Sequence, residues 1–207
     1  GLRDLGFLGS MRDAFGGVWR PILVLWFIMV LRSYTGQSFF TFLPMLFASE
    51  GYSLISVGAM VSLFTVGGAL SGILAGHLSD RIGFRKIFYV SHGLATPAFL
   101  FMLAAGGRWV HAAAFLSGFL VLATLPLGVL MAQEMAPRGK SMVSSLMMGL
   151  AFGTGGMLAP LTGKLGDLFG VRPVLAVVGL VPLLTTALVP LLPERRAGRA
   201  LGRRDTA

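Results

Sequence analysis

Cysteine is absent from the 207-residue sequence, so disulfides and thiolate chemistry are excluded. Charge is also scarce, because Asp, Glu, Lys and Arg make up 12% of the chain, whereas a soluble domain has about 25%. Hydrophobic residues make up 55%, and the mean hydropathy is +0.82. This composition is typical of a membrane protein and argues against a soluble domain.

Long stretches without charge divide the sequence into candidate membrane spans. Five stretches lack Asp, Glu, Lys and Arg, and a sixth contains Arg32 alone. Each exceeds the roughly 20 residues that a helix needs to cross the hydrocarbon core. An isolated lipid-facing strand would leave its backbone unpaired, so helices are expected. We predict an all-α protein with six transmembrane helices at about residues 20–47, 53–78, 86–106, 109–133, 141–165 and 172–193.

The net charge of +9 is distributed unevenly about these spans. Of the 17 Lys and Arg residues, thirteen fall on the side of the two termini, three on the other side, and Arg32 within a span. This bias predicts cytoplasmic termini, with residues 1–19 as a linker and 194–207 as a basic tail. Anionic lipid explains the basic tail, and no aromatic interleaving suggests nucleic acid. The chain begins with Gly rather than Met, so we predict that it is a fragment.

A polar segment between two spans recurs later in the chain. "GHLSDRIGFRK" (76–86) and "GKLGDLFGVR" (163–172) share G-x-L-x-D-x-x-G-x-R, with five identities in ten positions and an offset of 87 residues. Three spans separate the copies, so they lie on opposite faces, as in the inverted three-plus-three repeat of secondary transporters. We interpret both segments as gating loops. Their candidate residues are Gly76, Asp80, Arg81, Gly83, Arg85 and Lys86, and Gly163, Asp167, Gly170 and Arg172.

Each residue type in the first copy suggests a role. Gly76 would allow a neighbouring helix to approach closely, and Gly83 would allow a tight reversal. Asp80 could accept backbone N–H groups or lie near a positive helix N-terminus. Arg85 and Lys86 would keep the loop on the cytoplasmic side.

The segment 76–86 resembles the signature loop of the major facilitator superfamily, G-x-L-x-D-R-x-G-R-K/R, and departs from it at Phe84. Six spans are half of the twelve in that fold, so the resemblance implies the C-terminal half and a missing N-terminal six-helix half. "LRSYTGQSFFTFLP" (31–44), "AQEMAPRGKSMVSSLMMGLAFGTGGM" (132–157) and "LTGKLGDLFG" (161–170) resemble the fosmidomycin-resistance efflux family. That resemblance implies export of a small drug driven by protons, in a bacterial inner membrane.

Arg32 lies about twelve residues into the first span, at roughly 18 Å depth, near the midplane. A charge there costs roughly 2.5–3.5 kcal/mol on insertion scales, so it should face a cavity or a partner. Ser33, Gln37 and Thr41 recur at i, i+4 and i+8 beside it. We predict substrate binding by Arg32, Gln37 and Thr41; a structural ion pair or interhelical hydrogen bonding remains open.

The remaining polar residues of the spans give weaker indications of a function. Glu134 could be protonated during transport or could pair with Arg138 at the interface. His77, His92 and His111 stand singly, and no spacing indicates a metal. We therefore expect neither a metal nor a cofactor.

We interpret the chain as half of a proton-coupled exporter. The alternatives are an uptake symporter for a small anionic solute and a non-transporting membrane scaffold. A membrane-embedded enzyme is not supported, because no paired acids, metal spacing or nucleophile–base pair occurs within the spans. Arg32 argues against the scaffold, which has little reason to retain a mid-membrane charge.

Overall fold

The computed structural model describes residues 16–193, and all regular structure within them is helical. Six helices are long and apolar enough to cross a membrane, which confirms the predicted fold class. They are α1 (Trp19–Ser49), α2 (Leu54–Ile82), α3 (Phe84–Ala104), α4 (Trp109–Met135), α5 (Pro137–Phe169) and α6 (Val171–Leu191). The predicted basic tail and most of the predicted linker lie outside the described residues.

The two polar segments are not loops, which corrects the predicted connections at 79–86 and 166–172. Gly83 alone separates α2 from α3, and Gly170 alone separates α5 from α6. Gly83 has φ +83° and ψ 158°, and Gly170 has φ +89° and ψ 145°. Only glycine adopts this region readily, so one residue reverses the chain and the flanking polar residues remain helical.

The core contains two apolar clusters, one toward each face of the bundle. The first includes Ile22–Val30 of α1 and Val189 of α6, and lies toward the face where α1 begins and α6 ends. We call this the terminal face. The second includes Phe39, Leu43 and Phe47 of α1 and Val178 of α6, and lies toward the opposite face. Each cluster therefore packs one half of the membrane thickness.

Polar side chains are buried between the two clusters. We call this the polar layer; its members are Arg32, Ser33 and Thr35 of α1, Ser91 and His92 of α3, Thr124 of α4 and Thr185 of α6. Buried polar groups in a membrane need partners inside the protein or in a cavity. The polar layer thus locates the functional region at mid-depth.

Two helices depart from regular α geometry near this layer. The segments Trp109–Leu122 and Thr124–Met135 of α4 meet at Ala123. Pro126 follows shortly after and has no N–H to donate to the Leu122 carbonyl. In α5, residues Leu146–Ala151 form a π-helical turn, a feature common at functional sites.

Glycines set the closest approaches between helices, although not all where the sequence suggested. A Cβ at Gly155 of α5 would lie 2.5 Å from Ser33 Cβ, and one at Gly163 would lie 2.9 Å from the Phe42 ring. Small residues therefore bring α5 against α1. Around Gly76, by contrast, a Cβ would meet no described atom within 4 Å, so no helix within residues 16–193 approaches it closely.

Candidate functional site

Arg32 is buried in the middle of α1, with 3% of its surface exposed. Its Nε donates to the Val121 backbone carbonyl at 3.1 Å, at the end of the first segment of α4. Among the described residues, no carboxylate pairs with Arg32 and no hydrogen-bond acceptor is assigned to its two Nη atoms. One edge of the guanidinium is thus anchored, and the other edge has hydrogen-bonding capacity left.

A cavity of about 220 Å³ lies beside this arginine. It is lined by Arg32, Ser33, Gly36, Gln37 and Phe40 of α1, Phe64 and Thr65 of α2, Leu122 of α4 and Phe152 of α5. Four helices therefore contribute to one site at the level of the polar layer. A guanidinium lining a largely apolar cavity can bind an anion with charge-assisted hydrogen bonds.

The three residues predicted to bind substrate are not all in this cavity. Arg32 and Gln37 both line it, one and a half turns apart on α1. Thr41 lies a further turn along α1, is exposed, and does not line the cavity. Ser33, from the same predicted stripe, does line it.

Hydrogen bonds hold the cavity wall between α1 and α5 in place. Ser33 Oγ donates to the Phe152 carbonyl at 3.2 Å. Thr162 Oγ1 lies 2.9 Å from Ser38 Oγ and donates to the Tyr34 hydroxyl at 2.9 Å. These bonds fix the side of α1 that faces α5, so the polar residues of α1 serve both packing and the cavity.

The polar segments lie at the two faces of the bundle, away from the cavity. Asp80, Arg81 and Lys86 are exposed near the ends of α2 and α3 at the terminal face. Arg85 Nη2 donates to the Pro190 carbonyl at 3.3 Å. At the opposite face, Arg172 Nε and Nη2 contact Glu50 Oε1 at 3.0 and 2.6 Å. Asp167, in the last turn of α5, is exposed.

Glu134 is exposed in the last turn of α4 and does not line the cavity. Its neighbour Gln133 donates from Nε2 to Ser144 Oγ at 2.7 Å, which connects α4 to α5. The structure thus separates Glu134 from Arg32 and Gln37.

His92 is buried in the polar layer on α3, whereas the sequence analysis gave it no special place. Its Nδ1 lies 3.1 Å from the Phe88 carbonyl, so Nδ1 carries the proton and Nε2 can accept. Within the described residues, His92 Nε2 and Thr96 Oγ1, one turn along, have no hydrogen-bond partner.

The model of the Major Facilitator Superfamily matches residues 25–206, which is most of the sequence. The chain belongs to the Major Facilitator Superfamily. Its six helices form one half of the fold of that family, as a multi-pass membrane protein in a lipid bilayer. Relatives in this family are transporters and not enzymes.

Three relatives are similar over much of the chain. The fosmidomycin resistance protein of Escherichia coli (strain K12) is 26% identical over 175 residues, which are 84% of this chain and 42% of that protein. The MFS-type transporter YfnC of Bacillus subtilis (strain 168) is 29% identical over 149 residues, 71% of this chain and 36% of that protein. A probable actinorhodin transporter of Streptomyces coelicolor is 28% identical over 166 residues, which are 73% of this chain and 29% of that protein. The chain thus spans less than half the length of each.

Sequence reasoning missed several parts of this candidate site. The aromatic residues Phe40, Phe64 and Phe152 looked like ordinary apolar positions, because lipid-facing and cavity-facing residues are equally apolar in a membrane helix. The anchor at Val121 uses a backbone carbonyl, which no side-chain pattern reveals. Pro126, near the middle of the fourth span, was the available signal for the break in α4.

Proposed function

We propose that the chain is the C-terminal six-helix half of a proton-coupled secondary transporter that exports a small drug or metabolite by alternating access. We call the protein that combines it with an N-terminal half the complete transporter. The observation that carries this proposal is Arg32, a buried cation at mid-depth that lines a cavity and has no carboxylate partner among residues 16–193. A mid-membrane charge of this kind marks a substrate or ion pathway.

Similarity supports the direction of transport that we propose. One relative is a fosmidomycin resistance protein, and resistance is consistent with export of the drug. Fosmidomycin is therefore the first substrate to test. Arg32 and Gln37 would contact the substrate from this half, and residues of the N-terminal half would complete the site. Thr41 would contact it only in another conformation, because it lies outside the present cavity.

We infer that the two polar segments act as gates at the two faces. Gly83 and Gly170 make single-residue reversals, so movement of α2 or α5 passes directly to α3 or α6. Asp80→Asn keeps the shape of the side chain and removes its charge. It should reduce transport by the complete transporter without reducing its amount in the membrane. Wild-type transport by this variant would show that Asp80 has no part in gating.

The uptake symporter remains the second candidate, because an unpaired Arg32 would attract an anion in either direction of transport. No acidic residue of the described chain lines the cavity, so this half supplies no carboxylate there for the coupling proton. The direction of coupled proton movement distinguishes the two functions.

The complete transporter should be reconstituted in liposomes that contain a pH-sensitive dye and have an acidic interior. Addition of fosmidomycin should make the interior less acidic if drug and protons exchange. Arg32→Gln should abolish this response, whereas Arg108→Gln, the same change at an exposed turn, should not. Further acidification would indicate symport, and no response with any small anion would contradict proton-coupled transport.

The orientation that we propose places the terminal face in the bacterial cytoplasm. Because this chain has no cysteine, single cysteines can report on each face. Ser141 lies at the terminal face and Gly106 lies at the opposite face, so Ser141→Cys and Gly106→Cys place one thiol on each side. A thiol reagent that cannot cross membranes should label Gly106→Cys in intact cells and Ser141→Cys only after lysis. The reverse pattern would overturn the orientation.

A further inference from the structure

The composition of the cavity beside Arg32 restricts what it can bind. Its lining contains one charged residue and three aromatic rings, those of Phe40, Phe64 and Phe152, with Leu122 beside them. These rings come from α1, α2 and α5, so apolar surface approaches the cavity from three helices. A ligand in contact with this lining exchanges water for hydrocarbon over the part of its surface that faces the rings.

Most polar groups of the lining are already engaged. The Ser33 hydroxyl donates to the Phe152 carbonyl, and the Thr65 hydroxyl donates to the Val61 carbonyl at 2.9 Å. The Nε of Arg32 donates to the Val121 carbonyl. Within the described chain, the lining donors without an assigned acceptor are therefore the Nη groups of Arg32 and the amide of Gln37.

The two Nη groups of Arg32 suit one oxyanion. They offer parallel N–H groups to carboxylate, phosphonate or sulfonate oxygens, and Gln37 presents an amide N–H to the same cavity from one and a half turns along α1. A ligand with many hydroxyl groups would lose its bonds to water and find few donors in return. A cavity of about 150 Å³ is enough to hold benzene. The present 220 Å³ therefore accommodates a single ring with a small head group.

We propose that this cavity selects a small monoanion with one oxyanion head and an apolar, aromatic body. The head binds Arg32 and Gln37, and the body lies among Phe40, Phe64 and Phe152. This inference rests on the proposed function, since it names the substrate class of the same site. It ranks such a ligand above hydrophilic anions with an oxyanion head, fosmidomycin among them, which this site would bind more weakly.

Three probes separate the contributions of charge and of the apolar body. Benzenesulfonate has both, benzenesulfonamide is a neutral molecule with the same ring, and isethionate is an anion with the same head and a hydrophilic body. Binding to the complete transporter in lipid nanodiscs should be measured by calorimetry. We expect benzenesulfonate to bind about tenfold or more tightly than either other probe.

Two variants test the assignment of residues. Arg32→Gln should remove the preference for benzenesulfonate over benzenesulfonamide, because only the anion uses the guanidinium. Phe152→Ala should weaken benzenesulfonate binding and leave isethionate binding unchanged. Phe169→Ala, an exposed aromatic at the end of the same helix, is the matched control and should change neither.

The outcomes distinguish this inference from the proposed function. Isethionate or benzenesulfonamide binding as tightly as benzenesulfonate would overturn the inference, as would no binding of benzenesulfonate, even if the transporter exchanges fosmidomycin for protons. Selective binding without any proton-coupled flux would support the assigned site and contradict the proposed function.

Discussion

Arg85 and Arg172 occupy equivalent positions in the two copies of the repeat. Each lies at the start of one helix and donates to a backbone carbonyl near the end of the helix that contains the other arginine. Arg85, in the first turn of α3, contacts the Pro190 carbonyl near the end of α6 at 3.3 Å. Arg172, in the first turn of α6, contacts the Leu103 carbonyl near the end of α3. The last carbonyls of a helix have no partner within it, and a cation there also complements the helix dipole.

This reciprocal arrangement gives a physical meaning to the repeated arginine. Helices α3 and α6 are antiparallel, so the beginning of each lies beside the end of the other at opposite faces of the membrane. The second copy adds a carboxylate, because Arg172 also contacts Glu50 at the end of α1. The repeat therefore joins helix ends at both faces.

The first prediction concerns the contacts of Arg172. Arg172→Gln removes the ion pair with Glu50 and the bond to the Leu103 carbonyl. It should lower the free energy of unfolding by about 1–2 kcal/mol, because the exposed ion pair contributes little and the carbonyl contact about 1 kcal/mol. Thermal unfolding of the complete transporter in detergent measures this.

The control for this prediction is Arg108→Gln, at an exposed arginine of the same face for which the structure describes no ion pair. Glu50→Gln should cost less than Arg172→Gln, since it leaves the Leu103 carbonyl bonded. Equal losses for Glu50→Gln and Arg172→Gln would show that the carbonyl contact contributes nothing.

The second prediction concerns the single-residue reversals. Gly83→Ala and Gly170→Ala should each destabilise the protein by about 1–3 kcal/mol, because an L-residue is strained at these dihedral angles. At Gly83 the loss of stability would come from backbone strain and not from a steric clash, because a Cβ there would meet no described atom within 4 Å. Gly76→Ala, in regular helix with the same open surroundings, is the control. A loss at Gly76 equal to that at Gly83 would refute this explanation.

The sequence predicted the number of spans and the positions of the reversals, because both depend on local chemistry. Hydropathy sets the length of a span, and only glycine fits the angles at 83 and 170. The sequence did not indicate whether an apolar residue faces the lipid or the protein core. Ile28 is fully buried and its neighbour Phe27 is 47% exposed, yet both are apolar, since lipid is as hydrophobic as the core.

The cavity was predicted only in part for the same reason. Arg32 and Gln37 were found because a charged or amide side chain at mid-depth is costly unless it has a role. Thr41 was included because helical periodicity continues along α1, although the cavity ends before it. The π-helical turn of α5 was not predicted, because the residues Leu146–Ala151 would fit a regular α-helix equally well.

The third prediction concerns the contact between α1 and α5. A Cβ at Gly155 would lie 2.5 Å from Ser33 Cβ and 2.8 Å from the Tyr34 backbone nitrogen. Backbone cannot move aside cheaply, so Gly155→Ala should separate the helices, cost about 1–3 kcal/mol and weaken ligand binding. Gly153→Ala, two residues away with no described atom within 4 Å, should be neutral for both. Equal effects at the two positions would refute the close contact.

The last prediction concerns Arg32, for which a structural role and a binding role give opposite results. If the arginine serves to hold α1 against α4 through the Val121 carbonyl, Arg32→Gln should unfold at a lower temperature than the wild type. If it serves to bind an anion, its burial is a cost to folding that the ligand offsets. In that case Arg32→Gln should unfold at the same or a higher temperature and lose anion binding by about tenfold or more. Arg32→Lys should retain part of the binding, because it keeps the charge and lacks both the paired N–H groups and Nε. We expect the second pattern, measured by thermal unfolding without ligand and by calorimetry with benzenesulfonate. A lower unfolding temperature with unchanged anion affinity in Arg32→Gln would reject the binding site, because the guanidinium would then serve only the contact between α1 and α4.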